Sequence, residues 1–233
     1  MADFVLDGYT LTYPSPPTNG LLLYLDTSGK ENDDAHRDYL LNMNSPQTHT
    51  GANLENVTYN STSGYLTSSG IHLDGIDDYL YGYLPSTLTA VTIESTLRLT
   101  DPKKQILLQV GDEAENWALR YNLGFLELIH NSSVLATTTV NLTNTLASKA
   151  CMALLVTPTT VRIYINAVEV LNTAIVLPVL GDENDYFCIG SGFPSKGYME
   201  GNLYSFRLYN RILTQTELTK NFKADKKRWS VTT

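Results

Sequence analysis

The sequence predicts an all-β fold, a jelly-roll-like antiparallel β-sandwich closed by one short C-terminal helix, and three observations carry that prediction. First, about a dozen segments of strand length, rich in Val, Ile, Leu, Tyr and Thr, recur between turns of Gly, Asn and Asp. Second, the stretch from Ala90 to Leu99 alternates, with Val91, Ile93, Ser95 and Leu97 on one side and Thr92, Glu94, Thr96 and Arg98 on the other, as a strand with one wet face does. Third, the stretch from Gly201 to Phe222 changes period. Leu203 to Tyr209 alternates, with Tyr204, Phe206 and Leu208 opposite Ser205 and Arg207. Thr214 and Glu217 then form a capping box, Leu213 and Leu218 its hydrophobic staple, and Phe222 continues the Leu218 face.

The 233 residues suffice for one sandwich domain and are short for two. A hydrophobic content of 42% with 17% charged residues excludes a disordered acidic chain. The net charge of -8 argues against nucleic acid, whose phosphates it would repel. No apolar run approaches the roughly 20 residues of a helical membrane span, so no membrane insertion is expected. The N-terminus has neither the basic nor the apolar region of a secretory signal, and the expectation is a chain that stays in the cytosol where it is made. Cys151 and Cys188 each sit in an apolar run, as free thiols or, in an oxidising compartment, as a bridge.

Taken in order, residues 1–19 hold three prolines, Pro14, Pro16 and Pro17, and read as an arm without regular structure that lies on the domain or on a neighbour. Gly20 to Asp26 is an apolar run, hence a buried first strand. From Thr27 to Thr58 the chain is polar and reads as a long irregular loop, of the kind that binds or forms an interface. Ile71 to Leu84 reads as a hairpin turning at Asp74-Gly75. Short strands follow at Gln105 to Val110, Trp117 to Asn122, Gly124 to His130, Val134 to Thr139, Cys151 to Val156, Val161 to Ile165, Val168 to Leu171 and Tyr186 to Gly190. Residues 20–222 are the sandwich, and residues 223–233 a basic tail expected to project from it; removing 223–233 should then leave the melting temperature unchanged.

The C-terminal stretch, with strand, Tyr209-Asn210-Arg211 corner, Leu213 and capped helix in that order, resembles the signature of laminin G-like members of the concanavalin A-like lectin superfamily. Leu73 to Tyr79, Thr92-Ile93-Glu94 and Tyr164-Ile165-Asn166-Ala167 are similar to further stretches of that family. Two departures stand out: no Trp precedes the strand at Cys151, and Ala167 stands where the family has Gly. The resemblance implies a concanavalin A-like sandwich and, as in relatives, Ca2+ held at a sandwich rim by carboxylate and backbone oxygens. It leaves the ligand open, because one fold hosts many functions.

Glycosidases of this fold set two carboxylates on one strand, about 5 to 5.5 Å apart in retaining enzymes. Here Glu94 and Glu169 each stand alone and the four histidines are scattered, so no enzyme is expected. Three oxygen-rich clusters are candidates for the cation: Asp74, Asp77 and Asp78; Asp112, Glu113 and Asn116; and Asp182, Glu183, Asn184 and Asp185. Of these the first is preferred. Tyr79, Tyr81 and Tyr83 stand at i, i+2 and i+4 and share one face of a strand. Exposed, they offer flat aromatic area with hydroxyl tips to a sugar or a protein; buried, they are one sheet's inner layer. Lys226, Lys227, Arg228 and Trp229 combine steering charge with an aromatic anchor, and with the N-terminal arm are the expected contacts to partner proteins.

An adhesion-type sandwich without a signal for export is reconciled by a bacteriophage virion, which assembles in the host cytoplasm and is released by lysis. The ending Tyr-Asn-Arg followed by Lys-Asn-Phe-Lys-Ala-Asp-Lys-Lys-Arg resembles that of phage structural proteins. The expectation is a virion component of capsid or tail that docks to other virion proteins and carries a glycan-binding rim. A bacterial cell-surface adhesion module is the alternative, and a glycan-cleaving enzyme the third reading.

Overall fold

A computed structural model describes residues 4–6, 9–11, 16–44, 51–66, 70–84, 86–112, 115–177, 180–182, 185–192 and 197–231. The chain runs β1 (Phe4–Leu6), β2 (Tyr9–Leu11), β3 (Leu21–Asp26), β4 (Tyr39–Leu41), β5 (Gly51–Glu55), β6 (Gly64–Tyr65), β7 (Ile71–Asp74), β8 (Tyr79–Tyr83) and β9 (Val91–Leu99). It continues through β10 (Gln105–Gly111), β11 (Asn116–Asn122), β12 (Phe125–His130), β13 (Ser133–Thr137), one helical turn α1 (Thr143–Leu146), β14 (Ala150–Val156), β15 (Thr160–Ile165), β16 (Val168–Ala174), β17 (Tyr186–Ile189), β18 (Glu200–Tyr209) and α2 (Gln215–Trp229). One antiparallel sheet has the order β13-β12-β11-β10-β17-β8-β5-β4. The other has the order β16-β15-β14-β9-β18-β7-β6, with β3 pairing the second half of β18 beyond β7. The predicted sandwich is thus present, and its core runs between the sheets through Leu25, Ile71, Leu80, Ile93, Leu119, Leu154, Phe187, Phe206 and Leu208, all buried.

Four expectations change. Residues 1–19 do hold a regular element, since β1 pairs β2 as a two-stranded sheet of its own ahead of the prolines. The polar stretch from Thr27 to Thr58 contributes β4 and β5, which form the β4 edge of the first sheet. The expected hairpin at Asp74-Gly75 is a crossover: β7 pairs β18 and β6 in one sheet, β8 pairs β17 and β5 in the other. Short-range turn chemistry cannot tell a hairpin from a corner, because both need the same tight reversal.

The fourth change is the tail. The helix does not stop at Phe222 but runs to Trp229, and it lies across the outer face of the second sheet. Thr214 accepts from the Glu217 N–H at 3.3 Å and the Glu217 carboxylate accepts from the Thr214 N–H at 2.9 Å, so the predicted capping box forms. Leu213 and Leu218 pack with Leu155, Tyr164 and Tyr209, and Arg211 holds Glu217 in a two-pronged ion pair, 2.6 and 3.0 Å, that pulls the Glu217 carboxyl down to about 2. Beyond Leu218 the buried positions are Asn221, Asp225 and Trp229, a stripe at helical spacing, while Lys223, Lys226 and Lys227 occupy the wet face. Trp229 packs its ring 5.4 Å from that of Tyr204, and Val231 closes the same cluster after Ser230 ends the helix in the left-handed conformation.

That helix also overturns the wet face expected for β9. Thr92, Glu94 and Thr96 are buried, as are Ser205 and Arg207 on β18. Arg207 donates to both oxygens of Asp225 at 2.8 and 2.5 Å and lies 3.9 Å from Glu94. Asn221 donates to Glu94 at 2.6 Å and Thr96 to Asp225 at 2.9 Å, so Glu94, Thr96 and Arg207 of the two central strands meet the polar stripe of the helix, while the Thr92 hydroxyl bonds the corner at Arg211 and Leu213. A register shift after Leu203 turns Tyr204 away from Phe206 and Leu208 and toward Trp229.

Candidate functional site

The tyrosine row of β8 faces solvent. Leu80 and Gly82 point into the sandwich, where a side chain on Gly82 would meet the Phe187 ring at 2.6 Å, so alternation puts Tyr79, Tyr81 and Tyr83 on the outer side. Tyr79 and Tyr81 are half-buried and Tyr83 is 59% exposed. Strand pairing completes the face: β17 sets Tyr186 opposite Tyr83, and β5 sets Asn53 opposite Tyr81 and Glu55 opposite Tyr79. Ring centroids are 6.1 Å apart for Tyr79 and Tyr81, 6.4 Å for Tyr79 and Tyr198, and 4.6 Å for Tyr83 and Tyr186, whose hydroxyls lie 3.2 Å apart. Partial burial and then Glu55 push the Tyr79 and Tyr81 hydroxyls above the usual phenol range, which keeps them as neutral donors at every physiological pH.

The acidic loop stands at the head of this row. Asp74, Asp77 and Asp78 each bring a carboxylate oxygen within 4.8 Å of the others, and among the described residues no other group of three metal-ligating side chains is so gathered. Asp74 caps its own turn, accepting from the Ile76 N–H at 2.8 Å. Asp78 is fully buried; one oxygen accepts from the Asp74 N–H at 2.9 Å and from the Ser63 hydroxyl, and the other has no hydrogen-bond partner. Burial pushes the Asp78 carboxyl up to about 6, against those two hydrogen bonds. A buried, orphaned carboxylate oxygen within a set of three hard oxygen donors fits a divalent cation. Of the other oxygen clusters, Glu113, Glu183 and Asn184 lie outside the described residues, and Asp112 and Asp185 accept from backbone N–H groups of their own turns.

The remaining sequence candidates are dispersed. Glu94 is buried beneath α2 and Glu169 accepts from the Tyr164 hydroxyl on edge strand β16. The expected docking residues are divided: Trp229 is 6% exposed within the helix packing, and Arg228 pairs with Asp26 at 2.8 Å and with Ser28, whereas Lys226 and Lys227 are exposed. Sequence reasoning missed Asn53, Glu55, Tyr186 and Tyr198, which come from three other segments. Tyr186 was detectable only as the first residue of a strand, with no hint of its neighbour.

A family model described as the concanavalin A-like lectin/glucanases superfamily, of laminin G type, matches residues 74–219. No curated protein matches the chain. Among solved structures, Trypanosoma rangeli sialidase in complex with sialic acid is similar at 14% identity and a TM-score of 0.65, covering 97% of this chain and 36% of that one. The receptor binding domain of botulinum neurotoxin C/D mosaic serotype is similar at 11% identity and a TM-score of 0.62, covering 89% of this chain and 52% of that one, and the corresponding domain of botulinum neurotoxin D at 10% identity and 0.60, covering 88% and 53%. The chain thus spans about half or less of the length of these structures, and at such identities the likeness is one of fold. The family match covers well over half of the chain, which therefore belongs to the concanavalin A-like lectin/glucanase superfamily as a laminin G-like member.

Proposed function

We propose that this protein is a non-enzymatic glycan-binding module whose binding face is the outer side of β8. One observation carries the reading: a row of tyrosines kept at the surface of a sheet whose other face is core, with Asn53 and Glu55 at its side. A sugar ring presents an apolar face and a rim of hydroxyls, and this surface offers aromatic planes with donors and acceptors at their edges. Within the same reading the protein is a bacteriophage virion component, on capsid or tail. Support comes from the resemblance of its C-terminal stretch and from the β1–β2 hairpin, a sheet of its own suited to adding to a neighbouring protein. Glycan-array binding that is lost in Tyr81→Ala, with the melting temperature retained, is the expected result; a bound array unaffected by Tyr81→Ala would move the site elsewhere. Labelling of purified particles with an antibody to this chain tests the virion role, and its absence from particles would favour a cell-surface adhesion module.

The acidic loop would hold Ca2+ through Asp74, Asp77 and Asp78, an addition whose two positive charges offset most of the negative charge clustered beside Tyr79. Calcium at about 100 times its dissociation constant should stabilise the fold by about 2.7 kcal/mol, a rise in midpoint of roughly 5 to 10 °C. Asp78→Asn keeps an oxygen for the Ser63 and Asp74 donors and should abolish the increment. The folded-state pKa of Asp78 is raised, so without metal its contribution to stability is full below its unfolded pKa and is lost as pH rises through about 6. The calcium increment should therefore be largest above pH 6, where the ion meets an ionised carboxylate. A midpoint that does not respond to calcium at pH 7.5 would leave the three aspartates as a loop clasp.

A further inference from the structure

We infer that the tyrosine face selects an uncharged, linear glycan of at least three sugar units lying along β8; this rests on the glycan-binding reading above. The row is too long for one sugar. Tyr79 to Tyr83 spans four residues of strand, about 14 Å at roughly 3.4 Å per residue. Tyr198 adds a ring beside Tyr79, and Tyr186 adds one beside Tyr83. Three stacking positions result along the strand, Tyr198 with Tyr79, then Tyr81, then Tyr83 with Tyr186.

Charge decides the class. Strand pairing sets the carboxylate-bearing Glu55 directly opposite Tyr79, at the side of the row. Arg120, at the neighbouring part of the same sheet, is spent on Glu127. Carboxylate or sulfate recognition uses paired cations, above all Arg. Here an anionic sugar would meet the Glu55 carboxylate, in a chain of net charge -8. Glu55 and Asn53 instead suit hydroxyl groups, the first as acceptor and the second as donor and acceptor.

Calorimetric titration of the full chain, with and without calcium, tests this with gluco-, galacto- and N-acetylglucosamine oligomers of one to six units, and with oligogalacturonates of the same lengths and sialyllactose. At least one neutral series should gain affinity tenfold or more from one unit to three and then level off, with the anionic probes at least tenfold weaker. Tyr81→Ala should weaken the neutral trimer about tenfold while Tyr81→Phe retains most of the affinity, and Glu55→Lys should narrow the gap to the anionic probes. Stronger binding of the anionic series, or affinity independent of length, would overturn the inference while leaving glycan binding intact. Binding of neither series would overturn both.

Discussion

Replacement of Asp225 by alanine is expected to lower the unfolding free energy by about 3 to 5 kcal/mol, the usual cost of leaving a buried charge without its partner. The partner is Arg207, 3% exposed and held by two short bonds to Asp225; once these are gone, Glu94 at 3.9 Å is the remaining counter-charge on this face. The double replacement Arg207→Met with Asp225→Leu should recover most of the loss, because two apolar groups of similar volume do not carry the desolvation cost. Denaturant midpoints of wild type, both single variants and the double variant form the cycle. A single variant within 1 kcal/mol of wild type would mean that water reaches Arg207.

Glu94 adds a pH dependence to the same cluster. Burial pushes its carboxyl up to about 7, with Arg207 and Asn221 pulling the other way. A raised folded-state pKa means that the folded protein holds a proton the unfolded chain has released. The resulting stability is full below the unfolded carboxyl pKa of about 4.3 and is lost as pH rises through about 7. Glu94→Gln keeps an acceptor for Asn221 and should flatten the stability profile across that window.

Trp229→Ala is the second large effect, also about 3 to 5 kcal/mol, since it empties the space between Tyr204, Val231 and Phe222 beneath the end of α2. Deletion of residues 223–233 removes Asp225, Trp229 and Val231 together, and the midpoint should fall by roughly 10 °C or more, where the sequence alone predicted no change. Thermal unfolding monitored by circular dichroism decides the matter; a truncated chain that melts within a degree or two of wild type would show that the helix end is carried passively by the sandwich.

The contrast between these variants and the sequence reading has a common cause. Lys223, Lys226, Lys227 and Arg228 dominate the basic run and point to a projecting tail, yet Leu218, Asn221, Asp225 and Trp229 recur at helical spacing through and just ahead of it. That stripe was legible. Its polar members, though, suggest burial only if polar partners await them, and those partners, Glu94, Thr96 and Arg207, sit on strands 18 to 129 residues away in sequence. A period of two on β9 and β18 likewise says that two faces differ, and not that both are covered.

The sequence by itself determined β3, the strands from β7 onward and the capped corner into α2, because each is written in spacings of two to four residues that local sterics and hydrogen bonding enforce, while β1, β2, β4, β5 and β6 left no such signal and the family rested on the resemblance of whole motifs. It also put Tyr79, Tyr81 and Tyr83 on one face. Only the tertiary structure decided which face that was, that Asp74 to Asp78 is a corner between sheets, and that Tyr186, Tyr198, Asn53 and Glu55 join the row. Pairing between strands far apart in the chain depends on the closure of both sheets over one core, and no periodicity within a single segment encodes its neighbour.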